Sequence, residues 1–559
     1  MESAKHRTAR DLAIIAGVMA ALVVPPLLVR DLWNHDEPRY AEVAREMAVT
    51  GQYLVPHLNG EIYPEKPPFY FWAVALLWKL GVGVDSGRIL SALCGLGTVW
   101  AVYLFTRRFL PGTPPLLASL VALSTILFTS SVTHGVIDPV LTTLATGCLM
   151  CGYAALHDES GRAGRWWIGA YGLAGLGVLT KGPVGFLVPA LVLLVYAILD
   201  RGQVKKGGLA HIGGGLLFAA IVLAWLVPAM RAGGPEYTQT ILVKQNLGRA
   251  VNSYSHNNPP YYFLVRLPTY YFPWALLLPF AGWAAFRGRK SGQASGALFA
   301  ATWVVVYVAF FSLISGKRAG YILPIAPALG ILCAWYLAGG GSADRGVVKV
   351  RLWVHRIAFG VLALTSVMLI AATALSRPIL THFEKDQSLL EEALAVLTPA
   401  WHVCVIALLL LPTIAGFVGL ARAAKGRGVS DYLLACSVLI LVAVGQPCGA
   451  SAANVFKSAR LFCEEAMPYL RQARVVNLYR QDYAGAYNLY TEILSMPVIK
   501  DPDVLREALK QPGTVVIGEH RRLLSDFTPE ELAPLTLMER NVGHREMLLL
   551  AAPRPAPAQ

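Results

Sequence analysis

The sequence predicts a polytopic α-helical membrane protein of about thirteen spans, followed after residue 447 by a small α/β domain. Three observations carry this. Only 15% of the 559 residues are charged and 55% are hydrophobic, where a soluble chain carries roughly 25% charged residues. Thirteen apolar runs approach the ~20 residues that cross a hydrocarbon core as helix. Beyond residue 447 those runs stop and charged residues are mixed in. Disorder, a collagen-like chain and an ordinary cytosolic enzyme are excluded.

The runs fall near 11–29, 88–106, 115–131, 138–156, 166–182, 184–200, 209–229, 268–286, 297–315, 319–338, 353–375, 401–421 and 431–447. A basic stretch precedes the first, as in a signal peptide. No small-residue cleavage site follows Pro25-Pro26, so a retained anchor is expected. Phe69–Leu80 is also apolar, but it is short, follows Pro67-Pro68 and contains Lys79. Counting it as a span would reverse every later loop, and charge decides against that. Without it, Lys5/Arg7/Arg10, Arg107-Arg108, Arg162/Arg165, Arg201/Lys205/Lys206, Arg287/Arg289/Lys290, Arg345/Lys349/Arg351 and Arg422/Lys425/Arg427 all face the cytoplasm, as the positive-inside rule requires. Phe69–Leu80 is therefore expected as a helix at the outer interface. Residues 1–447 then form the membrane domain, with long outer loops 30–87 and 230–267, and 448–559 lies outside.

In 448–559, Val475–Tyr479, Thr514–Gly518 and Met547–Ala551 read as short buried strands. Val504–Lys510 and Pro529–Ala533 read as helices. Most cysteines sit inside spans as small apolar residues. Cys448 and Cys463 alone belong to the outer domain, where a disulfide between them is one option in an oxidising compartment.

Chemistry concentrates at the outer ends of the spans. From Pro38, the residues Tyr40, Val43, Ala44 and Met47 share one helical face and Arg39, Glu42 and Glu46 another, expected to be solvated. Asp36-Glu37-Pro38 suits a helix start, yet one cap needs one carboxylate and here two adjoin. In Glu65-Lys66-Pro67-Pro68, Lys66 is either an anchor at headgroup level or a cation aimed at a lipid phosphate. Asp138 opens the fourth span, as a helix cap or as a costly, functional acid at the membrane face. Lys181 and Lys317-Arg318 break the inside-only rule for cations, in tight turns that call for an anionic partner. Loop 230–267 adds Lys244, Arg249, His256 and Arg266 among tyrosines. No phosphate-binding P-loop, dinucleotide fingerprint, nucleophile elbow or HExxH is present. A basic patch at a membrane face fits a phosphorylated lipid, and paired acids fit glycosyl or metal chemistry. Moving a sugar from a lipid phosphate satisfies both.

His35-Asp36-Glu37-Pro38-Arg39-Tyr40, Pro64-Glu65-Lys66-Pro67-Pro68, Ile137-Asp138, Asn246-Leu247-Gly248-Arg249, His256-Asn257-Asn258-Pro259 and Gly316-Lys317-Arg318 through Tyr321-Ile322-Leu323-Pro324 resemble the aminoarabinose transferases of Gram-negative bacteria. These are GT-C superfamily enzymes related to the protein O-mannosyltransferases. The likeness covers roughly residues 11–340 well and the outer domain loosely. It implies an inner-membrane enzyme, its active site and outer domain periplasmic. The enzyme would move 4-amino-4-deoxy-L-arabinose from undecaprenyl phosphate to a lipid A phosphate, with inversion, giving resistance to polymyxin and cationic peptides. Asp36 corresponds to the family's first-loop aspartate and, with Asp138, is the candidate catalytic acid. Lys66 and Arg249, joined by Lys317, Arg318 and Tyr321, are candidate contacts for the lipid phosphate, flanked by Glu37, Arg39 and Lys181. Glu65, with His256, matches a place near a bound zinc, although two ligands are few for a structural site; no cofactor is expected to be required. Expected partners are the donor, lipid A and membrane lipids. Nucleic acid is not among them, and a monomer is expected. The rival readings are another polyprenyl-phosphate-sugar transferase, such as a protein O-mannosyltransferase, and a lipid-linked sugar transporter. A transporter would carry its charges at mid-span, whereas here they sit at the outer ends.

Overall fold

Inside hydrocarbon every backbone N–H and C=O must be satisfied within its own segment, so long apolar runs become helices. The computed structural model describes residues 2–33, 36–200, 208–243, 258–289, 294–340, 345–374, 410–412, 414–415, 417–418, 421, 429–448, 450–480, 485–543 and 545–552. Its first helices are α1 (Glu2–Val29), α2 (Asp36–Thr50), α3 (Phe69–Lys79), α4 (Ser86–Phe109), α5 (Pro115–Leu123), α6 (Ile126–Val132), α7 (Ile137–Leu156), α8 (Ala163–Lys181), α9 (Val184–Leu199) and α10 (Ala210–Gln239). They are followed by α11 (Tyr262–Tyr270), α12 (Leu278–Gly288), α13 (Ser295–Leu313), α14 (Ile325–Leu337), α15 (Arg345–Ala374) and α16 (Val429–Cys448). Among the described residues seven helices, α1, α4, α7, α10, α13, α15 and α16, are long and apolar enough to cross a membrane. The pair α5 and α6 makes an eighth if counted as one span.

The other expected spans are helical but shorter, broken or, in α8 with its Arg165 and Lys181, less apolar. The run 115–131 bends by 75° between α5 and α6. There the Ser124 and Thr125 hydroxyls donate to the Val121 and Ala122 carbonyls, at 3.2 and 3.0 Å, competing with the helical pattern. The run 268–286 is divided among α11, a 3-10 turn at Trp274–Leu277 and α12, around Pro268 and Pro273, which have no N–H to give. α8, α9 and α14 have 19, 16 and 13 residues. The run 401–421 lies, isolated positions apart, outside the described residues. α3 has 11 residues, about 16 Å of helix, half of what a crossing needs.

One expectation about α2 is corrected. Of Arg39, Glu42 and Glu46, the two glutamates are not solvated, at 0% and 2% exposed, and the Arg39 side chain is 23% exposed; Arg45 beside them is 6% exposed. Glu42 and Arg45 form a two-pronged ion pair, both contacts 2.7 Å. Glu46 accepts from the Asn59 and Gly60 amides. The face is covered by the turn at Asn59-Gly60 and, through the Glu492 carbonyl that accepts from Arg45 at 3.3 Å, by residues beyond 448, out of reach of any helical-wheel argument.

That later segment contains α17 (Ala450–Lys457), α18 (Arg460–Leu470), α19 (Ala486–Thr491), α20 (Pro502–Ala508) and a five-stranded sheet. Two short strands of the first loop, β1 (His57–Leu58) and β2 (Glu61–Ile62), pair as a hairpin. The sheet comprises β3 (Val475–Tyr479), β4 (Val498–Ile499), β5 (Thr514–Glu519), β6 (Thr536–Val542) and β7 (Arg545–Ala551), in the order β4-β3-β5-β7-β6. Alternation explains why it is filled on both faces. Leu478, Ile517 and Leu549 pack under Phe462 and Ala466 of α18, while Tyr479, Val516 and Leu548 pack with Leu505 and Leu523 on the other side. Cys463 is a buried free thiol within the first of these cores, so the Cys448–Cys463 disulfide does not form.

The sheet segment grips the first loop at two places. Asn454 accepts from the Asp31 amide at 3.0 Å and the Trp33 indole at 2.6 Å, and donates to the Val29 carbonyl at 2.8 Å. Asn59, at the left-handed φ of 59° in the hairpin turn, accepts from Asn488 Nδ2 at 2.8 Å and the Met496 amide at 2.7 Å, and donates to the Met496 carbonyl at 2.8 Å. Substituting Asn488→Ala leaves buried groups unpaired, so stability falls by about 1–3 kcal/mol. Thermal unfolding of the detergent-solubilised protein measures this.

Candidate active site

Two adjacent carboxylates at the start of α2 are sorted by direction. Glu37 turns inward and is 1% exposed. Arg30 grips it with two contacts of 2.8 Å, the Gly135 amide donates at 2.8 Å, and Arg88 Nε lies 3.6 Å away. Burial alone pushes its carboxyl up, but the Arg30 hydrogen bond and the charges of His134, Arg30 and Arg88 prevail, holding it down at about 2. Asp36 turns the other way, into a cavity of about 260 Å³ lined also by Tyr40, Lys66, His134, Asp138, Lys181, Arg318 and Tyr321.

Around that cavity the acids and the misplaced cations meet. Asp36 accepts from Arg39, and Arg318 Nη1 approaches its other oxygen at 3.5 Å. Lys181 Nζ donates to Asp138 and lies 4.8 Å from the centre of the Tyr321 ring. Asp138 opens α7 without capping it; pairing with Lys181 is its described role. The turn after α8 explains how Lys181 arrives there. Gly182 adopts φ 81° and caps the helix. Gly185 and Gly177 then let α8 and α9 touch by their backbones, where a Cβ on Gly185 would come within 2.2 Å of Gly177. Gly320 likewise abuts the Asp138 carboxyl, at 2.6 Å from a would-be Cβ, bringing the 318–321 turn onto the cavity.

Over residues 65–227 the chain matches the family described as dolichyl-phosphate-mannose-protein mannosyltransferase. An undecaprenyl phosphate-alpha-4-amino-4-deoxy-L-arabinose arabinosyl transferase of Pectobacterium carotovorum subsp. carotovorum is 30% identical over 476 residues, covering 83% of this chain and 80% of the relative. The chain belongs to this arabinosyl transferase family. A second member, from Pectobacterium atrosepticum, is 29% identical with the same coverage, 83% and 80%. The fold is also that of ArnT from Cupriavidus metallidurans, solved bound to undecaprenyl phosphate: TM-score 0.76 at 21% identity, with 100% of both chains covered. The protein is thus a membrane-embedded, lipid-linked glycosyltransferase of the GT-C type.

Not every residue that carried the family likeness reaches the cavity. Glu37 is walled off as described. Lys317 is 3% exposed and turns back to donate to the Ile314 carbonyl and, at 2.8 Å, the Asn258 carbonyl. Its described partners are neutral oxygens rather than the anion its place in sequence called for. Arg39 stands behind Asp36, 3.7 Å from Glu65 and over the Tyr40 and Tyr63 rings. Burial disfavours its charge, but those rings and the two acids outweigh this and hold the guanidinium protonated. Arg249 and His256 lie outside the described residues. Glu65 has the Arg39 guanidinium at 3.7 Å and the Tyr63 hydroxyl at 3.4 Å, and the histidine expected to share a zinc with it, His256, is among the residues outside the description. Ligand atoms of His520, Glu539 and Glu546 do lie within 4.8 Å of one another, on the sheet segment. Sequence reasoning passed over Arg30, Arg88 and His134. The first two follow a span and open another, where arginine reads as ordinary interfacial charge.

The Glu37 carboxyl titrates at about 2 against an ordinary 4.5, so its share of stability, about 3 kcal/mol, is complete above pH 4.5 and lost as pH falls towards 2. In Glu37→Gln, Arg30 and Arg88 lose their buried partner, at a cost of about 3–5 kcal/mol. Acid unfolding of the two proteins side by side tests both. The gap between them narrows as pH drops through that window.

Proposed function

We propose that this enzyme transfers 4-amino-4-deoxy-L-arabinose from undecaprenyl phosphate to a phosphate of lipid A. The reaction takes place at the periplasmic face of the inner membrane and produces resistance to polymyxin and other cationic peptides. The observation that carries this is the content of the cavity, where Lys66, Lys181 and Arg318 stand against Asp36 and Asp138. Both substrates present phosphate, which an excess of cations attracts and holds. The donor sugar also carries an ammonium group, which a carboxylate suits. Membership of the arabinosyl transferase family supports the choice of sugar.

In this reading an acceptor phosphate oxygen attacks the anomeric carbon as the bond to undecaprenyl phosphate breaks, inverting the centre. A phosphate monoester has a second pKa of about 6, so near neutral pH the nucleophile arrives already ionised. Asp36 is then spared proton transfer, and it orients the sugar and stabilises positive charge building at the anomeric carbon. Lys66 and Arg318 hold the departing phosphate, where negative charge grows. Donors preorganised at such a place are worth about 3–4 kcal/mol each. Asp138, locked to Lys181, fixes the opposite wall and aims the ammonium of Lys181 across Tyr321. Residues at one end of the helices, rather than at mid-span, fit chemistry at a single face.

The test is a product assay. Purified protein is incubated with aminoarabinosyl or mannosyl polyprenyl phosphate plus lipid A, and the products are weighed by mass spectrometry. Addition of aminoarabinose to lipid A is expected; transfer of mannose alone, or no transfer, would contradict the proposal. Asp36→Asn and Arg318→Ala should each lower kcat by about 10²–10³-fold. Near-normal turnover of Asp36→Asn would remove Asp36 from the chemistry.

A further inference from the structure

A second cavity, of about 690 Å³, lies between the end of α1, the start of α4 and the helices α17 and α18 of the sheet segment. It is backed by Arg30 and Arg88, the arginines that grip Glu37, so it opens at the same end of the bundle as the first. Its walls are of two kinds. Leu27, Leu28, Val84 and Leu461 give an apolar side. Leu28 is 78% exposed and Val84 also lies open, although both stand where a membrane-crossing helix ends or begins. Apolar side chains left open there are covered by acyl chains, not water. Trp33, just beyond α1, fixes the depth. The Lys457 ammonium lies 5.0 Å from the centre of its ring and the Arg30 guanidinium 5.1 Å. Tryptophan and a reaching lysine mark the level of lipid headgroups.

The polar side decides what kind of headgroup fits. Arg30 is committed to Glu37, and Arg88 to Asp85 at 3.0 Å and to the carbonyl oxygens of Arg30 and Asp31. That leaves Arg460, whose guanidinium lies 3.3 Å from Asp31 and 2.7 Å from Glu464. The Arg460 and Glu464 side chains are each more than half exposed, and ion pairs this open are weak, so a ligand bearing both charges can take them over. One positive charge faces two negative ones, a balance that repels an anionic lipid and suits a head carrying its own cation. We propose that this cavity binds the headgroup of a zwitterionic aminophospholipid of the phosphatidylethanolamine class. Its phosphate meets the planar fork of Arg460. Its primary ammonium, with three N–H donors, meets Glu464 and Asp31, and its acyl chains leave past Leu28 and Val84. Seated there, the lipid joins α1 and α4 to α18, beside the clasp that Asn454 makes on the end of α1.

The test is lipid binding by the delipidated, full-length protein in detergent, read by native mass spectrometry during titration with phosphatidylethanolamine, phosphatidylcholine or phosphatidylglycerol. Wild type is expected to hold phosphatidylethanolamine at least tenfold more tightly than the other two, because only it offers both a phosphate and N–H donors. Glu464→Gln and Arg460→Gln should each weaken that binding about tenfold, the loss of one hydrogen bond between charged groups, and leave phosphatidylglycerol binding unweakened. Both side chains are exposed, so the thermal unfolding midpoint without lipid should match wild type and show that the variants are folded. Equal binding of the three phospholipids by wild type would overturn the proposal, as would folded variants that bind phosphatidylethanolamine as wild type does. Aminoarabinosyl polyprenyl phosphate, titrated in the same way, carries the same pair of charges. If Glu464→Gln weakens its binding and not that of phosphatidylethanolamine, the cavity serves the donor and the phospholipid assignment fails. The transfer reaction is untouched by any of these results.

Discussion

Everything at the mouth of the helical bundle hangs on one buried carboxylate. Glu37 ties four chain segments together: its own helix, the end of α1 through Arg30, the start of α4 through Arg88, and the turn before α7 through the Gly135 amide. The backbones must come close for this, and glycine permits it: a Cβ on Gly135 would sit 3.3 Å from the Arg88 amide nitrogen. Arg88 in turn donates to the carbonyl oxygens of Arg30 and Asp31, closing the knot. Burying these charges is expensive, and the knot need not add much to stability relative to an apolar plug. What it provides is orientation. With Glu37 fixed inward, its neighbour Asp36 has only the cavity to face, and the turn carrying His134 and leading to Asp138 is fixed by the same contact.

A second constraint comes from the sheet segment. It covers the face of α2 opposite the bundle and clasps both the hairpin turn at Asn59 and the end of α1 at Asn454. The helix bearing Asp36 and Arg39 is therefore held from two sides, by the membrane helices and by the sheet. Gly485 of that segment comes within 3.2 Å, from a would-be Cβ, of the Arg39 Cα. Such bracing suits a site whose work is electrostatic, because donors and acceptors must already be in place when charge develops.

How much of this could be read from sequence depended on whether the signal was local. Hydrocarbon thickness and loop charge are local, and they located the helices and singled out Lys181, Lys317 and Arg318 as cations in the wrong place. The partners of Lys181 and Arg318 proved to be Asp138 and Asp36, both suspected for their own reasons. Adjacent residues of like type were not separable, however. Nothing in Asp36-Glu37 or Lys317-Arg318 says which member faces the cavity, since a helix start or a turn sends neighbours opposite ways. The burial of Glu42, Arg45 and Glu46 rests on the turn at Asn59-Gly60 and on a contact of Arg45 with Glu492, 447 positions later, beyond any periodicity argument. β6 was missed because Thr536–Val542 has no apolar run; half-buried throughout or exposed, it pairs as an edge strand. The Asn59-Gly60 dipeptide, a hairpin signal, was available and unread. His134 has no sequence signal of its own, and only its Ser130 carbonyl partner places it.

The account stands or falls on these side chains sharing one periplasmic cavity that holds phosphate. The most direct measurement places a single cysteine at Asp36 or Arg318 in a cysteine-free background and labels it in oriented membranes with an impermeant thiol reagent. The account predicts labelling from the periplasmic side at both positions and protection of both by undecaprenyl phosphate. Labelling from the cytoplasmic side, or protection of neither position, would contradict it.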